Sequence, residues 1–322
     1  MDSNAAHSGT GDRSRTADRQ PAVLAGIDGS RAAVRAAVWA AQEAVVRRLP
    51  LRLISVVPAI DHPAFRPGGV KYRNAERALT SALSAVSADR RGDPDASFSA
   101  VSTEVVHGQP AHLFVELSRS AALIALGAGD IGLFSHMVLG STALAVARDG
   151  HCPVALVRQS TAVNGAVLVV VSEWYRARPA LLAGFRAARD HGAELIVARI
   201  WRGRQWSSSP ESFRARPVVP DAQLAGFQRE FPTVTMHPIT VVGEAIDAVE
   251  KFSATARLVV VGHDADREHT ARLGPVTREL VCHAPCPVLV VPDDFVPPHP
   301  NSRRDDEPLD STAATAPGEG WM

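Results

Sequence analysis

The chain is poor in cysteine, lysine and aromatic residues, and neither sign of charge is in surplus. Three cysteines in 322 residues are too few for a disulfide framework, so the cytosol is the expected compartment. Lysine occurs only at Lys71 and Lys251, and neither follows a glycine-rich turn, which removes the P-loop from consideration. Basic and acidic residues number 34 each, for a net charge of zero. Non-specific nucleic-acid binding needs a basic excess to displace counterions, so no nucleic-acid partner is expected. Unbroken apolar runs such as 166–171 fall far short of the ~20 residues of a membrane span. Residues 1–20 are polar and lack an apolar h-region, so no signal peptide and no membrane association are expected. No G-x-S-x-G elbow and no H-E-x-x-H pair is found, and Ser30 and Ser141 have no histidine placed as a base. The chain is therefore expected to have no catalytic function.

What is present is globular. Hydrophobic residues make up 46% and charged residues 21%, a composition able to bury a core. The length suits two domains of about 150 residues each. Residues 1–20 and 293–322 carry no periodic apolar pattern and are expected to be disordered tails. A polar stretch at 159–165 reads as a linker between a first domain, 21–158, and a second, 166–292.

The two domains read as copies. His151-Cys152-Pro153-Val154 returns as Pro285-Cys286-Pro287-Val288, an offset of 134. Leu123 to Gly127 returns as Leu258 to Gly262 at an offset of 135, which Gly108 to Gly243 and Ser118 to Ser253 share. Leu51 returns as Leu195, at 144. Offsets that fall in steps are what duplication followed by loop deletion produces. Within the first copy, short apolar runs at 23–27, 51–57, 98–106, 123–126 and 154–157 alternate with helical periodicity at 31–48, 72–88, 110–118 and 141–148. In the first helix Val34, Val38, Ala41 and Val45 form one stripe, with Ser30 as N-cap. Strands alternating with helices imply an α/β fold with a parallel sheet, which binds ligands at the carboxyl ends of its strands.

This pattern resembles the universal stress protein family in its tandem two-domain form. The residues that carry the resemblance are Ala25-Gly26-Ile27-Asp28-Gly29-Ser30, Trp39, Val106-His107-Gly108, Leu139-Gly140-Ser141 and His151-Cys152-Pro153-Val154. The resemblance implies two five-stranded parallel sheets flanked by helices, of the Rossmann-like kind, paired as an intramolecular pseudo-dimer through their last strands. It leaves room for a further homodimer. In one branch of the family it also implies an ATP site, which can carry Mg²⁺. That site's pattern is Gly, two residues, Gly, nine residues, then Gly-Ser or Gly-Thr. Here it falls on Gly127, Ala128, Gly129, Asp130, Ile131, Gly132, Gly140 and Ser141, with Gly26 and Asp28 at the end of the first strand. The family holds adenine through the main chain at the position of Val56.

The chemistry of that loop can be read directly. Gly127 ends a buried strand, where a side chain would keep a phosphate at a distance. Backbone N–H groups of the loop can face an anion, and the helix starting at Gly140-Ser141 offers free donors and a favourable dipole. Asp28 can accept from a sugar hydroxyl. The copy departs from the pattern at Asp130, which stands where the family has glycine. A carboxylate within ~4 Å of a phosphate opposes binding by several kcal/mol at an effective dielectric near 20, unless it turns outward or helps to hold Mg²⁺. The alternative is a loop that keeps the fold, binds no nucleotide and serves as a protein-interaction scaffold. The second copy has Ser172 in place of Asp28, Gly274-Pro275 in place of Gly140-Ser141, and Asp264, Asp266 and Glu268 in its loop. Its site is expected to be empty, because proline removes a donor.

Two rival motifs carry less. Gly127 to Gly132 spells G-x-G-x-x-G, with Asp149 further on. It follows the fourth strand rather than the first, however, so a dinucleotide site is disfavoured. Cys282, His283 and Cys286 invite zinc. Yet Cys286 is the repeat partner of Cys152, which has no second cysteine nearby, so a small buried side chain is the better reading. The expected activity is regulation in a stress response by an adenine nucleotide, relayed to a protein partner that the sequence does not name.

Overall fold

The structure is a computed structural model. It describes residues 21–90, 100–129, 140–160, 162, 164–171, 176–201, 214–217, 222–242, 251–263 and 273–296. In the first half, β1 (Val23–Gly26), β2 (Leu51–Val57), β3 (Val101–His107), β4 (Leu123–Gly127) and β5 (Val154–Val157) alternate with α1 (Arg31–Arg47), α2 (Val70–Arg90), α3 (Pro110–Leu117) and α4 (Ser141–Asp149). The second half contributes β6 (Ala166–Val171), α5 (Arg178–Asp190), β7 (Leu195–Trp201), β8 (Arg214–Pro217), α6 (Ala222–Glu230), β9 (Met236–Val242), β10 (Ala256–Gly262), α7 (Pro275–His283) and β11 (Val288–Val291).

All eleven strands form one sheet, in the order β3-β2-β1-β4-β5-β11-β10-β6-β7-β9-β8. Five strands of each half are parallel to one another. The halves meet where β5 and β11 run antiparallel, pairing Leu156 with Val288, Ala155 with Leu289 and Val154 with Val290. Both strands are therefore internal, and every residue in them is buried. Alternate residues feed two cores. Val23, Ala25, Leu123, Ala155, Val167, Val169 and Leu289 face the layer of α1, α2, α5 and α6. Leu24, Ile124, Leu156, Leu168, Val170 and Val288 face the layer of α3, α4 and α7. Each core runs through both halves, as a sheet covered on two faces requires.

Three features differ from the sequence reading. The buried stripe of α1 is Ala33, Ala36, Ala37, Ala40, Ala41 and Ala44, while Val34, Val38 and Val45 are only half-buried. Alanine lets the helix lie closer to the strands than valine would. The second half is also not purely parallel: β8 adds an antiparallel edge strand to β9. Its Arg-Ala-Arg-Pro sequence has no apolar alternation, and the unpaired backbone of β9 is what it covers. Finally, order continues past residue 292. Arg176 lies 3.6 Å from Asp293, and Phe295 packs against both cores.

The duplicated small residues are structural. Ser118 is buried; its hydroxyl accepts from His151 N at 2.8 Å and donates to Val115 O at 2.5 Å. Its repeat partner Ser253 is also buried. Cys152 and Cys286 are both buried at the start of the last strands, and burial pushes each thiol up to about 12. Among the described residues, no group of three or more metal-ligating side chains comes together, and no helix is long and apolar enough to cross a membrane.

Leu156→Pro should remove a central backbone donor and a buried side chain together, at a cost of about 3 kcal/mol or more. Because the sheet is continuous, helical circular dichroism of both halves should be lost in one transition at a lower temperature. A melt in which half of the amplitude keeps the wild-type midpoint would contradict the shared sheet.

Candidate functional site

In the order β3-β2-β1-β4-β5, the chain leaves β1 toward β2 on one side and later returns to pair β4 on the other. The carboxyl ends of β1 and β4 therefore flank a topological switch point, where open α/β sheets bind ligands. Ala25 is paired with Ala125, so Ile27 and Gly127 stand level at the mouth of that crevice. Past it, the chain turns through Asp28, Gly29 and Ser30. Gly29 has a φ of +87°, a conformation that favours glycine. Asp28 is exposed; its Oδ1 accepts from Ser30 N at 2.8 Å. Ser30 is the N-cap of α1 and accepts from Ala33 N at 3.1 Å.

Val56 is placed by strand alternation. Ile27 N donates to Ile54 O at 2.8 Å, and Gly108 N donates to Val57 O at 3.0 Å. The backbone of Ile54 thus faces β1 and that of Val57 faces β3. Val56, two residues after Ile54, turns its N–H and C=O toward the side from which β1 has already departed. Beside it, His107 stacks on Tyr72 with ring centroids 5.8 Å apart, and its Nε2 lies 2.8 Å from Phe65 O. These contacts tie the segment after β2 to the strand ends.

The glycines divide into two kinds. A Cβ on Gly127 would come within 2.4 Å of the Ala32 carbonyl carbon and 2.6 Å of Ala33 N, and one on Gly26 would meet Leu126 and Phe114. Both glycines are therefore demanded by packing. At Gly127, which the sequence reading assigns to phosphate access, the close approach that the structure shows is that of α1. Gly140 is different. It is exposed; among the described residues nothing lies within 4 Å of a Cβ placed there, and no side chain of theirs caps α4. The first turn of α4 has no acidic residue, and Ser141 is exposed beside it. Ala128 is buried, and its N–H donates to Val157 O at 3.0 Å, so that group faces β5. Gly129 is exposed. Asp130, Ile131 and Gly132 lie outside the described residues.

The equivalent corner of the second half is closed on itself. Gly274 N donates to His263 O at 3.2 Å, Pro275 opens α7, and the buried Thr277 hydroxyl donates to Gly262 O at 2.8 Å. Ala143 stands at the Thr277 position in the first half and has no hydroxyl for such a bridge. Ser172, Asp264, Asp266 and Glu268 lie outside the described residues.

Two groups that sequence reading missed join the halves. Arg158, directly after β5, is buried and donates to Ala284 O at 3.2 Å, Val281 O at 2.5 Å and Gly129 O at 3.4 Å. One guanidinium thus links carbonyls at the end of α7 to the loop that follows β4. Glu43 of α1 is also buried. Its Oε1 lies 2.7 Å from His191 Nε2 of the second half, and its Oε2 lies 2.8 Å from Arg47. Arg257 lies 3.2 Å from His191 Nδ1. A guanidinium only donates, so Nδ1 accepts and Nε2–H donates to Glu43. Burial alone would raise the Glu43 carboxyl. The charge of Arg47 and the hydrogen bond from His191 outweigh it and bring the group from 4.5 to about 2. No local motif announces this cluster, because its members are separated by some 150 residues of chain (Glu43 to His191).

The doubly covered sheet, its antiparallel seam and the switch-point crevice define a tandem, doubly wound α/β protein. Comparison with known proteins is more specific. The Universal stress protein family matches residues 21–158 and again 164–292. A universal stress protein of Mycobacterium tuberculosis is 31% identical over 284 residues, covering 86% of this chain and 98% of its own. A second from the same organism is 29% identical over 273 residues, covering 84% and 95%. The crystal structure of a universal stress protein from Archaeoglobus fulgidus matches the fold with a TM-score of 0.65 at 17% identity, covering 84% of this chain and 98% of that one. The chain belongs to the universal stress protein family and carries its domain twice.

The Glu43 cluster makes a pH prediction. A carboxylate depressed from 4.5 to about 2 contributes stability that is complete above about 4.5 and is lost as pH falls toward 2, on the order of 2–4 kcal/mol. Glu43→Gln should lower the urea midpoint at pH 7, and its difference from wild type should shrink steadily below pH 4.5. A difference that stays constant down to pH 3 would show that the charge is not responsible.

Proposed function

We propose that the first half binds an adenine nucleotide in the crevice between β1 and β4, and that the protein acts in a stress response by binding rather than by catalysis. The observation that carries this reading is the start of α4. Among the described residues, nothing fills the space beside Gly140 and no side chain caps this helix N-terminus, whose first turn carries no acid. The N–H groups there are oriented for a phosphate. Asp28, exposed at the end of β1, has acceptor capacity beyond its bond to Ser30, as a ribose hydroxyl needs. The Val56 main chain faces the same crevice. Adenosine recognition, phosphate recognition and the switch point thus fall together in this half, with ATP as the preferred ligand and Mg²⁺ as its counterion. The closed corner at Gly274 and Thr277 argues against a matching site in the second half. A cytosolic location and a relay to a protein partner belong to the same proposal.

A second reading is favoured by Gly127 and Gly26. Packing alone accounts for both, so their presence does not require a ligand. On that reading the protein is a nucleotide-free scaffold, and Asp130 has closed the pocket.

Mass spectrometry of ligand released from purified protein, followed by ATP calorimetry, separates the two. Gly140→Asp should abolish ATP binding at least tenfold while leaving the melting temperature unchanged or slightly raised, since aspartate is a good N-cap. Binding that survives Gly140→Asp would contradict the placement at α4. No heat in wild type, with heat gained in Asp130→Gly, would establish the scaffold.

A further inference from the structure

A cavity of about 310 Å³ opens at the junction of the two halves, and none of its lining residues belongs to the nucleotide crevice. One wall is the outer face of α1, with Val34, Val38 and Trp39; Leu258 and Pro287 of the second half lie among the remaining apolar walls. Two of the half-buried valines of α1, Val34 and Val38, thus border a space between the halves, and Val38 also packs against the core. The volume is at the low end of the ~300–1,000 Å³ typical of small-molecule sites, which are mostly apolar with a few placed polar groups and favour domain interfaces.

The polar groups here are strongly biased in charge. Among the described lining residues, Arg35, Arg158 and Arg257 stand against a single carboxylate, Glu43. That carboxylate is already engaged by Arg47 and by His191. Guanidinium groups partly withdrawn from water favour a ligand that brings negative charge. Trp39 offers an aromatic surface.

We propose that this cavity is a second ligand site, for a small aromatic monocarboxylate. The carboxylate would sit by Arg257 and the ring between Trp39 and the valines of α1. A single charge suits the site better than a polyphosphate, because Arg158 spends N–H groups on three backbone carbonyls and Arg257 spends one on His191. Gln42, Gln159 and Ser160 add uncharged polar groups, and Val157, Leu258 and Pro287 complete the apolar part of the lining.

The test uses the full chain and ¹⁹F NMR with a fluorinated benzoate and a fluorinated indole carboxylate as probes, each compared with its neutral amide. At least one acid should show saturable broadening with wild-type protein, and its amide should bind at least tenfold more weakly. Arg257→Met removes the charge. Val38→Phe fills the cavity from a half-buried position on α1 and leaves the Glu43 cluster in place. Each should weaken the acid at least tenfold while circular dichroism remains that of wild type. If Arg257→Met fails to fold, Val38→Phe and the amide comparison decide the question. Absence of saturable binding by both acids, equal binding of acid and amide, or binding unchanged by Val38→Phe would overturn the proposal.

Discussion

The backbone pairing of β5 with β11 is the contact on which the rest depends. A parallel α/β sheet of five strands ends in an apolar strand with one side unpaired. Val154 to Val157 and Val288 to Val291 are such strands, and each would be an aggregation hazard if exposed. Placing them side by side, antiparallel, satisfies both sets of backbone groups and leaves every residue in them buried. Two modest sheets become one of eleven strands with a core on each face, and both cores cross the seam.

That seam also brings together side chains that neither half would use alone. Arg158 leaves β5 and reaches carbonyls at the end of α7 while touching the loop after β4. Glu43 and Arg47 on α1 meet His191 and Arg257 from the other half. A buried carboxylate is costly unless it is well paired, so this cluster is stable only when the halves are docked. The switch-point crevice, by contrast, is built within the first half, where β1 and β4 part company. The physical division is clear: the crevice depends on the topology of one copy, the charged junction on the joining of two.

Much of the fold was legible. The repeated strand of Cys-Pro-Val, the glycine-ended fourth strand and the buried serines recur at offsets of 134 or 135 residues, because each is tied to an element of the shared fold. Asp28, Val56, Gly140 and Ser141 are candidates through a resemblance, and their backbone setting is a turn, a strand end past its neighbour and a helix start. Other features were not legible. Valine outranks alanine in hydrophobicity, so the periodicity of α1 pointed to the wrong stripe, whereas close helix–strand approach selects alanine and demands Gly127. The strand β8 has no apolar alternation and is recruited by an edge. The Glu43–His191 contact is invisible in one dimension, since nothing local distinguishes a buried glutamate from a solvated one.

The seam can be interrogated most directly by native-state hydrogen exchange on the intact protein. If β5 and β11 are the shared centre of one cooperative sheet, the amides of 154–157 and 288–291 should be among the slowest in the chain. They should exchange together with those of β4 and β10, with the same free energy of opening. Fast exchange at 154–157 and 288–291 while β4 and β10 remain protected would contradict the account, for it would mean that two separate cores hold the halves and the pairing between them is incidental.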